Sequence, residues 1–177
     1  MTEHMKTAIC PGSFDPVTLG HLDIISRASK IFDRVVVAVP VNPDKCFSFS
    51  VEERMDMLQK VCAAQGLENV VVDRVEGLLA DYARERSAAV IIKGLRALTD
   101  FEYEFQQALT NKKLNPALET MFLSTSAEHM FLSSSMVKQV AGFGGDISHF
   151  VPACILEVIK GRLCQPAAEQ REGDALA

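Results

Sequence analysis

The stretch from Cys10 to His21 (Cys10-Pro11-Gly12-Ser13-Phe14-Asp15-Pro16-Val17-Thr18-Leu19-Gly20-His21) constrains this chain more than any other. The apolar run Ala8-Ile9-Cys10 leads into it, and Leu22, Ile25, Ala28 and Phe32 lead out at helical spacing. A strand, a glycine-bearing turn and a helix, in that order, aim backbone N–H groups at an anion. Gly12 and Gly20 allow a bulky group to approach the main chain closely. His21 falls in the first turn of the helix, where its ring adds a donor to those amides. The pattern predicts a strand–helix unit built to handle phosphate.

The same alternation continues along the chain. Thr18 to Phe32 reads as a helix broken by Asp33-Arg34, and Val35 to Val41 as a strand. That strand is apolar on both faces, as expected where a parallel sheet is covered on both sides. Asn42-Pro43-Asp44 is a turn before Lys45. Ser50-Val51-Glu52-Glu53 has capping-box form and opens a helix through Gln65, which Gly66 stops. Val70-Val71-Val72 is a third strand, and Gly77 precedes a helix carrying Leu78, Leu79, Tyr82 and Ala83. Ala88 to Ile92 is a fourth strand that runs into Lys93-Gly94-Leu95-Arg96. Asp100 to Leu114 is helical, ended by Asn115-Pro116, and Glu119 to Ser124 is a fifth strand. Ser133-Ser134-Ser135 caps a helix through Ala141, Gly142 to Gly145 turns, and Pro152 opens a last helix to about Leu163. The Met and Phe residues at 121, 122, 130, 131 and 136 are core by default. The fold expected is α/β, a doubly wound five-stranded parallel sheet of Rossmann-like form, because parallel strands need helical crossovers. Residues 1–164 make one domain, and the polar tail 165–177 is expected to be mobile.

Composition narrows the ligand. With 48% apolar residues, 177 residues fill one core. A net charge of −5 with scattered Lys and Arg does not suit nucleic acid or an acidic membrane, and favours a small anionic ligand. No apolar run is long enough to span a bilayer, and Met1 to Lys6 lacks the form of a signal peptide, so a cytoplasmic protein is expected. Five cysteines with no C-x-x-C pair predict reduced thiols, with neither a disulfide framework nor a zinc site.

In such a sheet ligands bind beyond the carboxyl ends of the strands. Ser13 and His21 follow the first strand, Asn42 and Lys45 the second, Lys93, Gly94 and Arg96 the fourth, and Ser124 to Ser135 the fifth. Each has a plainer role if taken singly. His21 would be a surface ring, Lys45 a solvated charge, Glu104 a half-exposed helix residue, and the serine triplet only a cap. Their recurrence on one edge predicts a pocket for several phosphates. There is no G-x-x-x-x-G-K-[ST] loop, no G-x-G-x-x-G and no nucleophile elbow, so nothing points to a covalent nucleophile.

At this point the chain resembles a known family. Thr18-Leu19-Gly20-His21 is similar to the H-x-G-H signature of the nucleotidyltransferase superfamily, with threonine at its first position. Phe131-Leu132-Ser133-Ser134-Ser135-Met136-Val137-Lys138 resembles that superfamily's second signature, I-S-S-[ST]-x-x-[RK]. Pro11 to Pro16, Asn42-Pro43 with Lys45, Gly94-Leu95-Arg96-Ala97, Asp100 to Glu104, and Gly145-Asp146 before His149-Phe150 narrow the resemblance to the bacterial phosphopantetheine adenylyltransferase family. It covers about residues 6 to 163.

The resemblance implies conversion of ATP and 4′-phosphopantetheine to dephospho-coenzyme A and pyrophosphate with Mg²⁺, in coenzyme A biosynthesis. It also implies a homohexamer and feedback by coenzyme A. His21 is then the transition-state stabiliser, Ser13 contacts both substrates and the Phe14 backbone the nucleotide. Lys45 and Lys93 hold the acceptor phosphate, and Leu79 lines the pantetheine arm. ATP falls to Gly94, Leu95, Arg96, Glu104 and the loop His129, Met130, Phe131, Leu132, Ser133, Ser134 and Ser135. No protein side chain is assigned to the metal. The attacking phosphate is already ionised, so in-line transfer needs neither a base nor a covalent enzyme intermediate. This chain has Ser13 where threonine is frequent, Lys93 where arginine is common, and His129 where an aromatic residue is usual.

Four other functions compete. A relative adenylylating nicotinate mononucleotide or cytidylylating glycerol phosphate is disfavoured by the Phe101–Glu104 cluster and the Lys45 loop. A non-catalytic nucleotide sensor would have no need of a transition-state donor. A flavodoxin-like electron carrier would need a flavin.

Overall fold

Hydrophobic alternation within the strands dictates the layering. The computed structural model describes residues 5–42, 45–96 and 98–164. The expected turn Asn42-Pro43-Asp44, Ala97 and the tail 165–177 fall wholly or partly outside these residues. Strands β1 (Thr7–Pro11), β2 (Arg34–Pro40), β3 (Val70–Val75), β4 (Val90–Leu95) and β5 (Glu119–Ser124) form one sheet in the order β3-β2-β1-β4-β5. Every pairing is parallel. In β1, β2 and β4 successive side chains enter different cores. Ala8, Cys10, Val35, Val37, Val39, Val90 and Ile92 pack on one face, and Ile9, Val36, Ala38 and Ile91 on the other. The first face is covered by helices α1 (Leu19–Ser29), α2 (Val51–Ala64), α5 (Ser134–Gly142) and α6 (Leu156–Leu163). The second receives Ala80, Tyr82 and Ala83 of α3 (Leu79–Glu85). The remaining helix, α4 (Leu98–Leu114), packs against α3, β4 and β5. None of the helices described is long and apolar enough to cross a membrane.

Several boundaries differ from the sequence expectation, and tertiary pairing explains them. Strand β4 continues past Ile92, because Lys93, Gly94 and Leu95 pair with Phe122, Leu123 and Ser124. Strand β3 continues through the charged pair Asp73-Arg74, which sits opposite Ala38 and Val39. Helix α1 stops at Ser29 and helix α4 starts at Leu98. Pro152 opens a short 3₁₀ turn, Ala153–Ile155, before the last helix, and a second such turn occupies Ala127–His129. The predicted capping box of α2 is present, with Ser50 and Glu53 satisfying each other's backbone N–H.

The core assignment of the methionines and phenylalanines needs correction. Met121, Met130 and Phe131 are exposed by 44%, 52% and 58%, because β5 is an edge strand and the loop after it lies outside the sheet. Phe122 and Met136 are half-buried. Phe122 meets Phe101 edge-on at 5.8 Å, and Phe101 stacks on Phe105 at 5.4 Å, so these rings cluster beside the edge and not within either core.

A side chain that drew no attention in the sequence closes the end of α1. Asn69 donates through Nδ2 to the carbonyls of Ser29 (2.8 Å) and Phe32 (2.9 Å), tying the end of the helix to the entry of β3. Asn69→Ala is expected to lower the free energy of unfolding by about 2 kcal/mol, since two carbonyls lose their donor. Urea denaturation measures this; an unchanged midpoint would mean that water replaces both bonds without cost.

Candidate active site

The sheet order places its switch point at β1, whose neighbours β2 and β4 are entered by crossovers on opposite faces. A cavity of about 760 Å³ opens there, at the carboxyl ends of β1, β2 and β4. Ser13, Phe14, His21, Lys45, Leu79, Lys93, Gly94, Arg96, Glu104, Leu132, Ser133 and Ser134 all line it. These come from six separate segments, and only the sheet brings them together.

Ring orientation follows from a local cap. Thr18 is the N-cap of α1, and its Oγ1 accepts the His21 N–H at 3.3 Å. In return the Thr18 N–H donates to His21 Nδ1 at 3.1 Å. A backbone N–H can only donate, so Nδ1 is the acceptor and the neutral ring carries its proton on Nε2. Burial, assisted by the Arg96 charge, holds the His21 pKa down to about 4. The ring is therefore a neutral single donor at pH 7. Phe14 packs its edge against it, with ring centroids 5.1 Å apart.

The turn that carries Ser13 is tightly folded. Phe14 has a φ of 51° and lies over Gly12, where an added Cβ would stand 2.8 Å from Phe14 Cζ. Gly12 thus leaves room for the ring that steadies His21. Burial pushes the Cys10 thiol at the cavity floor up to about 12, against the pull of Lys93. A thiol so protonated is no nucleophile. All five cysteines are free.

The cations are held by carboxylates of α4. Lys93 Nζ lies 3.0 Å from Glu104, so a residue expected at the acceptor phosphate pairs with one expected at ATP. Arg96 spans Asp100, Nε at 2.9 Å and Nη2 at 3.2 Å, and donates through Nη1 to the Leu132 carbonyl at 2.7 Å. Three of the five guanidinium N–H donors are engaged in this way, and two are left to meet oxygens in the cavity. Lys45 is exposed at the rim and makes no ion pair among the described residues. At the N-terminus of α5, Ser133 caps the helix by accepting the Met136 N–H at 3.0 Å. Ser134 Oγ donates to the Pro16 carbonyl at 2.8 Å, fastening that helix to the first turn.

Other predicted residues do not line the cavity. Leu95 ends β4, where its carbonyl accepts the Thr125 N–H. His129 lies beside Gly20, whose added Cβ would stand 3.6 Å from His129 Cβ. Met130 and Phe131 are exposed, and Ser135 is exposed in the first turn of α5. Asp100, Tyr103, Gln107, Thr18 and Thr125 line the cavity although sequence reasoning assigned them no contact. The local signal for Thr18 is a T-x-x-H cap, which departs from the usual capping box by ending in His in place of Glu or Gln.

A neutral His21 is open to direct measurement. In the unfolded chain its pKa is the ordinary value of about 6.5, so that state takes the proton first. Acidification from there to about pH 4 then costs folding stability through this ring, and above that window the ring adds no pH dependence. Imidazole NMR is expected to show the Nε2–H tautomer at pH 7 and a midpoint near pH 4. A midpoint at about 6 to 7 would contradict this environment.

The Cytidylyltransferase-like family model matches residues 9–140. Phosphopantetheine adenylyltransferase of Caldanaerobacter subterraneus is 54% identical over 153 residues, covering 86% of this chain and 94% of that protein. The phosphopantetheine adenylyltransferase of Clostridium tetani is 56% identical over 155 residues, covering 88% and 96%. Among solved structures, a putative nicotinate-nucleotide adenylyltransferase from Vibrio parahaemolyticus superposes with a TM-score of 0.70 at 19% identity, covering 92% of this chain and 98% of that one. Nicotinic acid mononucleotide adenylyltransferase of Plasmodium falciparum, complexed with NaAD, gives 0.68 at 14% identity, covering 88% and 95%. At such identities the solved structures speak for the fold alone, whereas the sequence matches extend over most of this chain and nearly all of each relative: this chain belongs to the phosphopantetheine adenylyltransferase family.

Proposed function

We propose that this chain transfers the adenylyl group of ATP to 4′-phosphopantetheine, releasing pyrophosphate and forming dephospho-coenzyme A in coenzyme A biosynthesis. The observation that carries this is a single cavity in which a neutral imidazole N–H, three cations and a helix N-terminus meet. Its volume of about 760 Å³ lies within the range of small-molecule binding sites.

The acceptor phosphate is an anion near neutral pH, so attack on the α-phosphorus needs no protein base. One bond forms from the acceptor oxygen to the α-phosphorus, and the bond from that phosphorus to the β-bridging oxygen breaks. What remains for the protein is alignment and stabilisation of charge on the α-phosphoryl oxygens. His21 Nε2–H supplies a donor that neither gives up nor gains a proton during the step. Lys45 and Lys93 hold the acceptor phosphate, with Leu79 along the pantetheine arm. Arg96 and the amides at the start of α5 take the outer phosphates of ATP and the departing pyrophosphate. The Glu104 and Asp100 carboxylates hold Lys93 and Arg96 in place before either substrate arrives, which reduces reorganisation in the transition state.

Mg²⁺ enters this proposal with the nucleotide. The carboxylates lining the cavity are Asp100 and Glu104, each paired with a cation, and no cluster of three metal-ligating side chains occurs among the described residues. Such a donor set fits an ion carried by triphosphate oxygens and water, with Asp100 and Glu104 as partners for those waters. Bound in that way, the ion would neutralise phosphate charge.

The proposal extends to location and assembly. Five free thiols suit a reducing cytoplasm. Exposed Phe101, Phe105 and Leu109 on α4, beside Met121 on the sheet edge, support association of several copies, and the family resemblance suggests a hexamer. Coenzyme A shares the pantetheine arm and would compete for the same cavity.

Pyrophosphate release from ATP should depend on added 4′-phosphopantetheine; release with neither that acceptor nor any other would refute the assignment. His21→Ala is expected to lower kcat about a hundredfold while the KM for ATP changes little. Near-normal turnover would remove its role. Lys45→Ala should raise the KM for phosphopantetheine about tenfold, as loss of a charged hydrogen bond does. An unchanged KM would mean that Lys45 does not reach the acceptor.

A further inference from the structure

Asp15 stands outside the cavity lining, yet it is among the few buried charges of the described residues, only 3% exposed. Its Oδ1 accepts the Phe49 N–H at 2.9 Å, and Oδ2 accepts the Ser48 N–H at 3.1 Å. Lys138 of α5 completes the set, its Nζ 2.7 Å from Oδ2. Asp15 belongs to the turn that bears Ser13 and leads to His21, whereas Ser48 and Phe49 follow Lys45 by three and four residues. One carboxylate therefore joins the nucleotide side of the proposed site to the acceptor side. Arg54, wholly buried, makes a second tie between the same segments: Nη1 donates to the Ser13 carbonyl at 2.7 Å and Nε to the Ser50 carbonyl at 3.2 Å.

We infer that Asp15 is a positioning residue that sets the Lys45 loop in register with the Ser13–His21 turn, so that the acceptor phosphate faces the α-phosphorus in line. This rests on the function proposed above. The physical reason is that two backbone amides and an ammonium converge on one carboxylate in a site nearly closed to water. All three are donors, so an amide side chain of the same shape cannot replace it: Asn would turn an NH₂ group toward at least one of them. The carboxylate touches neither substrate and acts through Lys45. A shift of about 1 Å in that lysine is enough to matter for in-line transfer.

The test is a double-mutant cycle on the full chain, with 4′-phosphopantetheine and ATP as probes. Asp15→Asn is expected to raise the KM for phosphopantetheine about tenfold and lower kcat, with the Kd for ATP within about twofold of wild type. In a Lys45→Ala background Asp15→Asn should add less than about twofold to that KM, because the residue it positions is gone. Independent, additive effects would overturn the inference, as would a variant that loses only thermal stability. Hydrogen exchange gives a readout without turnover: the Ser48 and Phe49 amides should exchange at least about tenfold faster in Asp15→Asn. If wild-type protein releases no pyrophosphate, the proposed function fails, and unchanged exchange at Ser48 and Phe49 would separately refute the positioning role. Should Asp15→Asn not fold, Lys138→Met takes its place. It should raise the KM for phosphopantetheine about threefold or more by leaving the carboxylate short of one donor, and an unaltered KM would count against the inference.

Discussion

Parallel strand pairing is the constraint on which the rest of this molecule depends. Strands that run the same way must be joined by crossovers, so carboxyl ends of strands and amino ends of helices collect on one edge of the sheet. With β1 in the middle of β3-β2-β1-β4-β5, the two crossover directions diverge beside it and leave a crevice. Segments up to about 120 residues apart in sequence, such as Ser13 and Ser133, then share one cavity. No local property of either segment requires this.

Within that crevice the charges are arranged before any substrate is present. Lys93 leans on Glu104 and Arg96 on Asp100, and outside the cavity lining Lys138 leans on Asp15. Each carboxylate holds a cation in one orientation and spares it the disorder of a free side chain. His21 follows the opposite course. Its Nδ1 is committed to a backbone donor, and burial keeps the ring uncharged. A site for anions that relied on an imidazolium would weaken as pH rose through neutrality. A neutral ring with a committed tautomer offers the same donor across that range.

The loop that carries Lys45 owes its place to contacts from well separated parts of the chain. Asp15 grips its backbone from the first turn, Arg54 of α2 lies over the Phe47 ring at 4.1 Å, and Arg162 of α6 donates to the Ser48 carbonyl at 2.9 Å and pairs with Glu53. The last helix thus braces the acceptor side of the cavity from the surface. The surface at β5 and α4 lacks any such cover among the described residues, and Phe101 and Phe105 lie open there.

Much of this molecule was readable from residue order alone. Glu119–Ser124 was placed to the residue, and the Ser50–Glu53 cap and the succession of five strands came from hydrophobic period and capping chemistry, which act over a few residues. The strand, turn and helix around Cys10 to His21 were likewise legible, and the proposal that they handle phosphate rests on the glycines, hydroxyls and histidine between them. What lay beyond reach depended on partners distant in sequence. Lys93 to Leu95 became strand because β5 lies alongside, and Met121 became exposed because β5 has no neighbour on its far side. The T-x-x-H cap that sets the His21 tautomer was local, but its protonation state came from burial and from Arg96, brought there by β4. Sequence determined which segments are strands and helices and which residue types wait at their ends, since backbone preference and amphipathic period are local. Tertiary structure alone decided which of those residues meet, which charges pair and which rings stay dry, because burial and Coulomb interaction depend on distance in space.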